Sequence, residues 1–349
     1  MNDPLMELDG MEKYFSRSSG FLDSLFGSDD YVKAVDGVSF TLEENEVVGV
    51  IGESGCGKTT LLKTLMGLHD PTGGEIRYNG KPLSSFSRAD WKQFRRNVQL
   101  IFQDPFNSID PKMSVRETLK EPLKIHGMEA TEERILDVLE QVELNPARNY
   151  LDRLPQQLSG GEKQRVSIAR ALVTEPDVIL ADEPVSMLDV STQASVLNLL
   201  SDLTTELGVS MVYISHDLST VGYVCDQIKV MYLGRIVESA PTQALLDDPK
   251  HPYTQALVSA IPIPDPHHER DRTSIEGAVA DPVGLGGGCR FRDRCPDRMD
   301  ICEKTPMDTE VEDRREVACH LHYEHEQQAQ AGAKIMNGHQ QTTKQGGDD

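Results

Sequence analysis

Val47-Val48-Gly49-Val50-Ile51-Gly52-Glu53-Ser54-Gly55-Cys56-Gly57-Lys58-Thr59-Thr60-Leu61-Leu62 is an apolar run that breaks into a glycine turn and resumes with helix-compatible residues. Gly, four residues, Gly, Lys and Thr is the spacing of a phosphate-binding loop, and the strand before it and helix after it are the context that pattern needs. The glycines let backbone N–H groups turn toward phosphates, and the helix start adds partial positive charge. Ser54, Gly55, Cys56 and Gly57 form the cradle. Lys58 reaches the β- and γ-phosphates, Thr59 holds Mg²⁺ and Thr60 sits near the α-phosphate. The loop names a nucleotide site without saying what the nucleotide is spent on.

Outward from this loop, apolar runs alternate with helical ones, which predicts an α/β core. Strands are expected at Val35 to Leu42, Glu46 to Ile51, Glu75 to Tyr78, Val98 to Phe102, Val178 to Ala181, Met211 to Ser215 and Ile228 to Tyr232. Helices are expected at Lys58 to Met66, Glu132 to Val142, Gly160 to Leu172 and Thr192 to Leu207. The strand Val178-Ile179-Leu180-Ala181 ends in Asp182-Glu183-Pro184. Beside a phosphate loop, Asp182 is placed to hold Mg²⁺ and Glu183 to act as general base on the attacking water.

Just upstream stands Leu158-Ser159-Gly160-Gly161-Glu162-Lys163-Gln164-Arg165. With it, the stretch from about Asp3 to Ile261 resembles the ABC transporter ATPase family. The resemblance implies a P-loop NTPase fold: a RecA-like core, an antiparallel β-subdomain and a helical signature subdomain. It implies that Ser159, Gly160 and Gly161 offer donors to the γ-phosphate of a nucleotide held by a second, homologous subunit. Gln103 resembles the loop glutamine that touches Mg²⁺ and the attacking water. His216 resembles the switch histidine, Asp189 the aspartate that communicates across the dimer, and Phe15, or its neighbour Tyr14, the ring that stacks on adenine. The chain departs from the family's commoner residues at Glu162, where Gln is usual, and at Met187, where Ala is frequent.

Composition sets domain limits of 1–262 for the ATPase, 263–325 for a small cysteine-rich region and 326–349 for a polar, Gln-rich disordered tail. Ser16 to Tyr31 reads as an exposed loop and the stretch after Ile261 as a linker. Cys289, Cys295, Cys302 and Cys319 are separated by five, six and sixteen residues. In a reducing compartment such a set points to metal rather than to disulfides, and both zinc and an iron–sulfur cluster suit thiolates. With His251-Pro252-Tyr253-Thr254 before it, this tail resembles the C-terminal region of dipeptide and oligopeptide importer ATPases, which implies a [4Fe-4S] cluster, with Zn²⁺ as the alternative. The subfamily further implies a heterodimer of ATPase subunits, two transmembrane permease subunits and an extracytoplasmic solute-binding protein. The implied activity is ATP-driven uptake of dipeptides or oligopeptides, with oligosaccharides or other small solutes left open, and a soluble ABC-type ATPase outside transport is the rival reading. Cys56 is expected to make the ATPase sensitive to thiol alkylation, with ATP protecting.

The 57 Asp and Glu against 35 Lys and Arg give a net charge of −22, which disfavours nucleic acid as a partner and is consistent with a salt-rich cytoplasm. No apolar run approaches the ~20 residues of a spanning helix. The start, MNDPLMELDG, lacks the pattern of a secretory signal, so the chain is expected at the cytoplasmic face of the membrane, held by its permeases.

Overall fold

The computed structural model describes residues 3–16, 31–261, 285–312 and 314–322. The expected loop between Ser16 and Tyr31, the linker after Ile261 and the tail from 326 lie outside the described residues. In chain order the strands are β1 (Met6–Ser16), β2 (Tyr31–Leu42), β3 (Val47–Ile51), β4 (Gly73–Tyr78), β5 (Lys81–Pro82) and β6 (Val98–Ile101). They continue as β7 (Val178–Asp182), β8 (Ser210–Ser215), β9 (Gln227–Tyr232), β10 (Arg235–Pro241), β11 (Thr309–Glu312) and β12 (Arg315–Val317). The helices are α1 (Lys58–Leu65), α2 (Arg88–Asn97), α3 (Pro105–Ser108), α4 (Val115–His126) and α5 (Glu132–Gln141), then α6 (Gly160–Leu172), α7 (Val190–Leu207), α8 (Leu218–Val224), α9 (Thr242–Asp247) and α10 (Pro252–Ser259).

The strands form two sheets, with a core on each face of the larger one. β2-β1-β4-β5 is antiparallel, and the larger sheet runs β11-β12-β10-β9-β3-β8-β7-β6. In the larger one, β9-β3-β8-β7-β6 are parallel. Their sequences are continuously apolar because both faces are covered. Val48 and Val50 of β3 point into the core shared with the antiparallel sheet and α1, while Val47 and Ile51 point into the core built with the helical layer. β7 and β8 split the same way, Leu180 and Val212 to one side, Ala181 and Tyr213 to the other. Full burial of each Val or Ile is worth about 1.5–3 kcal/mol, so the ends of these strands are held firmly where the site residues begin.

The helical layer forms because its helices announce their starts. Ser87 with Asp90, Ser114 with Glu117 and Ser159 with Glu162 close capping boxes at α2, α4 and α6. α4 and α5 then pack their apolar faces on α6, through Leu119, Leu123, Ile135 and Leu139.

Among the described residues, the cysteine-rich region packs on the main core rather than making one of its own. β12 pairs antiparallel with β10, Glu238 opposite Val317 and Ser239 opposite Glu316, so the described residues after 285 continue the main sheet. The join is held by Arg315 and Glu238, a fully buried pair at 2.9 Å, with Glu238 also accepting the His251 N–H at 2.8 Å.

Candidate nucleotide site

β3 delivers the phosphate loop, and the backbone there needs glycine. Gly57 has φ +110, and a Cβ on it would sit 2.0 Å from the Ala34 carbonyl oxygen; on Gly52 it would meet the Met231 carbonyl oxygen at 2.1 Å. Gly57 also starts α1 without a side-chain cap, unlike Ser87, Ser114 and Ser159, which leaves the first N–H groups of α1 available to an anion. Lys58 is buried inside the loop, its Nζ donating to the Gly52 oxygen at 2.6 Å and the Glu53 oxygen at 3.1 Å.

The catalytic candidates come together over this loop. β7 ends in Asp182 and Glu183, and Glu183 has a left-handed backbone, φ +45, an uncommon conformation for a side chain of its size. Its N–H donates to the Ile214 oxygen at 2.9 Å, which ties the turn to the end of β8. One carboxylate oxygen accepts Gln103 Nε2 at 2.8 Å, and the other lies 3.1 Å from His216 Nδ1. Glu183 thus joins two residues, Gln103 and His216, from two other strand ends. Asp182 hydrogen-bonds Thr59, and its carboxyl is pushed above the usual carboxylate range, first by burial and then by the charge of Glu183. Two adjacent carboxylates facing a phosphate loop, with a threonine hydroxyl on one of them, fit a divalent cation.

A cleft of about 650 Å³ collects these groups: Phe15, the loop from Ser54 to Thr60, Gln103, Glu183 and His216, with Val32 to Ala34 and Leu233-Gly234 added. Phe15 is 37% exposed at the rim, beside His69 at a ring separation of 5.5 Å. Asp182, bonded to Thr59, is not among the cleft's lining residues. Ser159, Gly160, Gly161 and Asp189 are not among the cleft's residues.

A family profile described as ABC transporter matches residues 35–186, and one described as oligopeptide/dipeptide transporter, C-terminal region, matches residues 237–302. The putative oligopeptide transport ATP-binding protein YkfD of Bacillus subtilis is 45% identical over 326 residues, 91% of this chain and 96% of that protein. The oligopeptide transport ATP-binding protein AppF of the same organism is 42% identical, covering 92% of this chain and 98% of its own length. A dimeric ATP-binding cassette in a post-hydrolysis state, bound to ADP and Pi, superposes with a TM-score of 0.58 at 27% identity, over 68% of this chain and 98% of that one. This chain belongs to the ABC transporter ATPase family.

In this ABC ATPase the signature residues stand apart from the cleft. Ser159 caps α6, its hydroxyl accepting Glu162 N–H at 3.2 Å while its own N–H donates to the Glu162 carboxylate at 2.7 Å. Glu162, the departure from the family's usual Gln, therefore closes the cap, and it accepts the Tyr150 hydroxyl at 3.0 Å as well. Gly161 packs so closely on α7 that a Cβ would meet Thr192 Cγ2 at 2.5 Å, whereas Gly160 has room, its nearest neighbour being Leu188 Cδ2 at 3.8 Å. Asp189 caps α7, and bonds from Ser191 and Thr192 hold its carboxyl below the ordinary range.

The four cysteines share one small lobe. The charges of Cys289, Cys295 and Cys302 reach Cys319, whose thiol is pushed up to about 12 mainly by burial, and Cys295 is raised to about 11 for the same reason. Burial makes a thiolate costly at Cys289, Cys295 and Cys319, a cost that a bound cation would offset. Among the described residues, however, no three His, Cys, Asp or Glu side chains stand in ready ligand geometry.

Several site residues escape a reading of the sequence. Tyr253 places its hydroxyl 2.9 Å from the Glu53 N–H, and Arg294 grips the Glu53 carboxylate at 2.7 and 3.0 Å. Cys56, expected to make the ATPase sensitive to alkylation, is 2% exposed and burial pushes its thiol up, both of which lower its reactivity.

Proposed function

We propose that this ABC ATPase is the ATP-hydrolysing subunit of an importer that takes up dipeptides or oligopeptides. The observation that carries it is the Glu183 carboxylate bonded to both Gln103 and His216 over the phosphate loop, in a chain whose relatives are named for oligopeptide transport. Lys58 and the loop from Ser54 to Thr60 bind the phosphates of ATP, and Phe15 stacks on the base. Thr59, Asp182 and Gln103 would hold Mg²⁺, which would offset the charge of the triphosphate. Glu183 accepts a proton from a water whose oxygen attacks the γ-phosphorus, as the bond to the β–γ bridging oxygen breaks and ADP leaves. Gln103 and His216 fix the direction of the carboxylate.

The Ser159–Gly161 helix start completes the site of a second homologous subunit, with Asp189 beside it, and Val185-Ser186 after Glu183-Pro184 favours a heterodimer. Two permease subunits hold the pair at the cytoplasmic face of the membrane, and an extracytoplasmic binding protein delivers cargo. Residues 1–262 serve as the ATPase and 263–325 as the cysteine-rich region. Cys289, Cys295, Cys302 and Cys319 are the candidates for holding a [4Fe-4S] cluster, or Zn²⁺ in its place, as a structural staple. Iron, sulfide and zinc assays on anaerobically purified protein separate the two.

The function is tested with the assembled transporter in vesicles, supplied with binding protein and a labelled tripeptide. ATP-dependent tripeptide accumulation is expected. ATP hydrolysis without accumulation would refute the peptide cargo, and a chain that never associates with permeases would favour a soluble ATPase.

A further inference from the structure

Between the first two lobe cysteines runs Arg290-Phe291-Arg292-Asp293-Arg294. Arg292 bonds within its own lobe, to the Gly287 oxygen at 2.8 Å and the Glu303 carboxylate at 3.3 Å. Arg290 and Arg294 cross instead to the ATPase. Arg290 donates to the Leu233 oxygen, at the wall of the cleft, and to Asp36. Arg294 lays both terminal nitrogens on the two oxygens of Glu53, at 2.7 and 3.0 Å, and touches the Tyr232 hydroxyl at 3.3 Å. Phe291, 1% exposed between them, packs on Tyr232 and Tyr253 at ring separations of 5.3 and 5.4 Å.

Glu53 is the first residue after Gly52 in the phosphate loop, and a carboxylate is an adverse neighbour for a polyanion. Its backbone is fixed on both sides, the N–H by Tyr253 and the oxygen by Lys58. Only the direction and charge of its side chain remain to be set, and a two-pronged guanidinium contact sets both. We infer that Arg294, supplied by the cysteine-rich lobe, is a positioning residue of the nucleotide site that holds the Glu53 carboxylate neutralised and turned from the phosphates, and so sets the affinity for ATP. This rests on the phosphate loop being the ATP site, which titration of the wild-type chain checks independently.

The test is calorimetric titration of the full chain with Mg–ATP. Arg294→Gln is expected to weaken ATP binding about 10-fold, and 0.5 M salt to narrow the gap, since the cause is an unscreened charge. Adding Glu53→Gln to Arg294→Gln removes that charge and is expected to bring affinity back to within about 3-fold of wild type. A purely structural role for Arg294 gives no such rescue. Unchanged affinity in Arg294→Gln overturns the inference, and so does a double variant that binds no better than the single one. If circular dichroism shows that Arg294→Gln does not fold, Glu53→Gln alone decides, because Arg294 stays in place. Binding at least as tight as wild type supports the role, and weaker binding overturns it.

Discussion

In the proposed function Glu183 and Ser159 both meet a triphosphate, yet one is wired through the molecule and the other only to its own helix. Glu183 is bonded to Gln103 and His216, its backbone is tied to β8, and the loop beneath it is braced by Tyr253 and Arg294. Ser159 is exposed, and its bonds go to Glu162 three residues on. Beside it Met187 and Val190 expose 57% and 81% of their surface, an apolar edge that suits an interface. On the proposed reading the chain carries a finished half and an unfinished one: the hydrolytic machinery is local to one chain while its completion comes from a second.

The sharpest way to break this contrast is to disable each half separately. Glu183→Gln keeps the size and one acceptor oxygen but removes the base, so turnover should fall roughly a thousandfold while ATP binding persists. Wild-type turnover in single-turnover assays would remove Glu183 from its role. Gly160→Asp tests the other half. Its Cβ has 3.8 Å of clearance, so the fold tolerates it, but a carboxylate then faces the incoming γ-phosphate. Hydrolysis by the assembled pair should drop by about 10², with ATP binding by the single chain unchanged. Equal loss of binding in the single chain would mean that the signature serves its own cleft.

The two halves also differed in how far the sequence disclosed them. β3, β7 and β8 are legible because strands covered on both faces are written as unbroken apolar runs. α6 is legible at its first residue because Ser159 and Glu162 spell a capping box. α2 was missed despite the same signal at Ser87 and Asp90, since among its ten residues only Phe94 is buried and no apolar stripe appears. β10 was missed because its core positions include Glu238 and Ser239, polar residues paired in the interior. The braces on Glu53 come from Tyr253 and Arg294, 200 and 241 residues away, and no local pattern carries a contact of that range.

Acid should separate the halves by a smaller amount. His251 caps α10, accepting the Tyr253 N–H on Nδ1 at 3.0 Å, and so supports the residue that braces Glu53. Burial, with His322 nearby, lowers it from 6.5 to about 3, so the folded chain keeps it neutral. Between those values the unfolded chain binds the extra proton, and stability therefore falls as pH drops from about 6.5 toward 3. At pH 5 the loss is about 2 kcal/mol relative to pH 7.5. Asp189, at the other half, has a lowered carboxyl whose contribution is full above the normal carboxylate range and is lost only as pH falls through and below it. His251→Asn keeps a capping acceptor without the titration, and denaturant melts of this variant at pH 5 and 7.5 should differ by less than those of the wild type. An equal slope in both would clear His251 of the effect.

The smallest effect tests what Glu162 does for the unfinished half. If its role is to close the cap on Ser159, Glu162→Ala should cost about 1 kcal/mol, a shift of about 2–4 °C in melting temperature. Glu162→Gln, which restores the family's commoner residue, can still accept the Ser159 N–H and should stay within about 0.5 kcal/mol of wild type. The ion contact with Arg153, at 3.6 Å and partly exposed, is too weak to reverse that order. Were Gln as costly as Ala, the carboxylate charge rather than the cap would be holding the signature helix start, and the departure from the usual residue would mark a charge requirement at the subunit boundary.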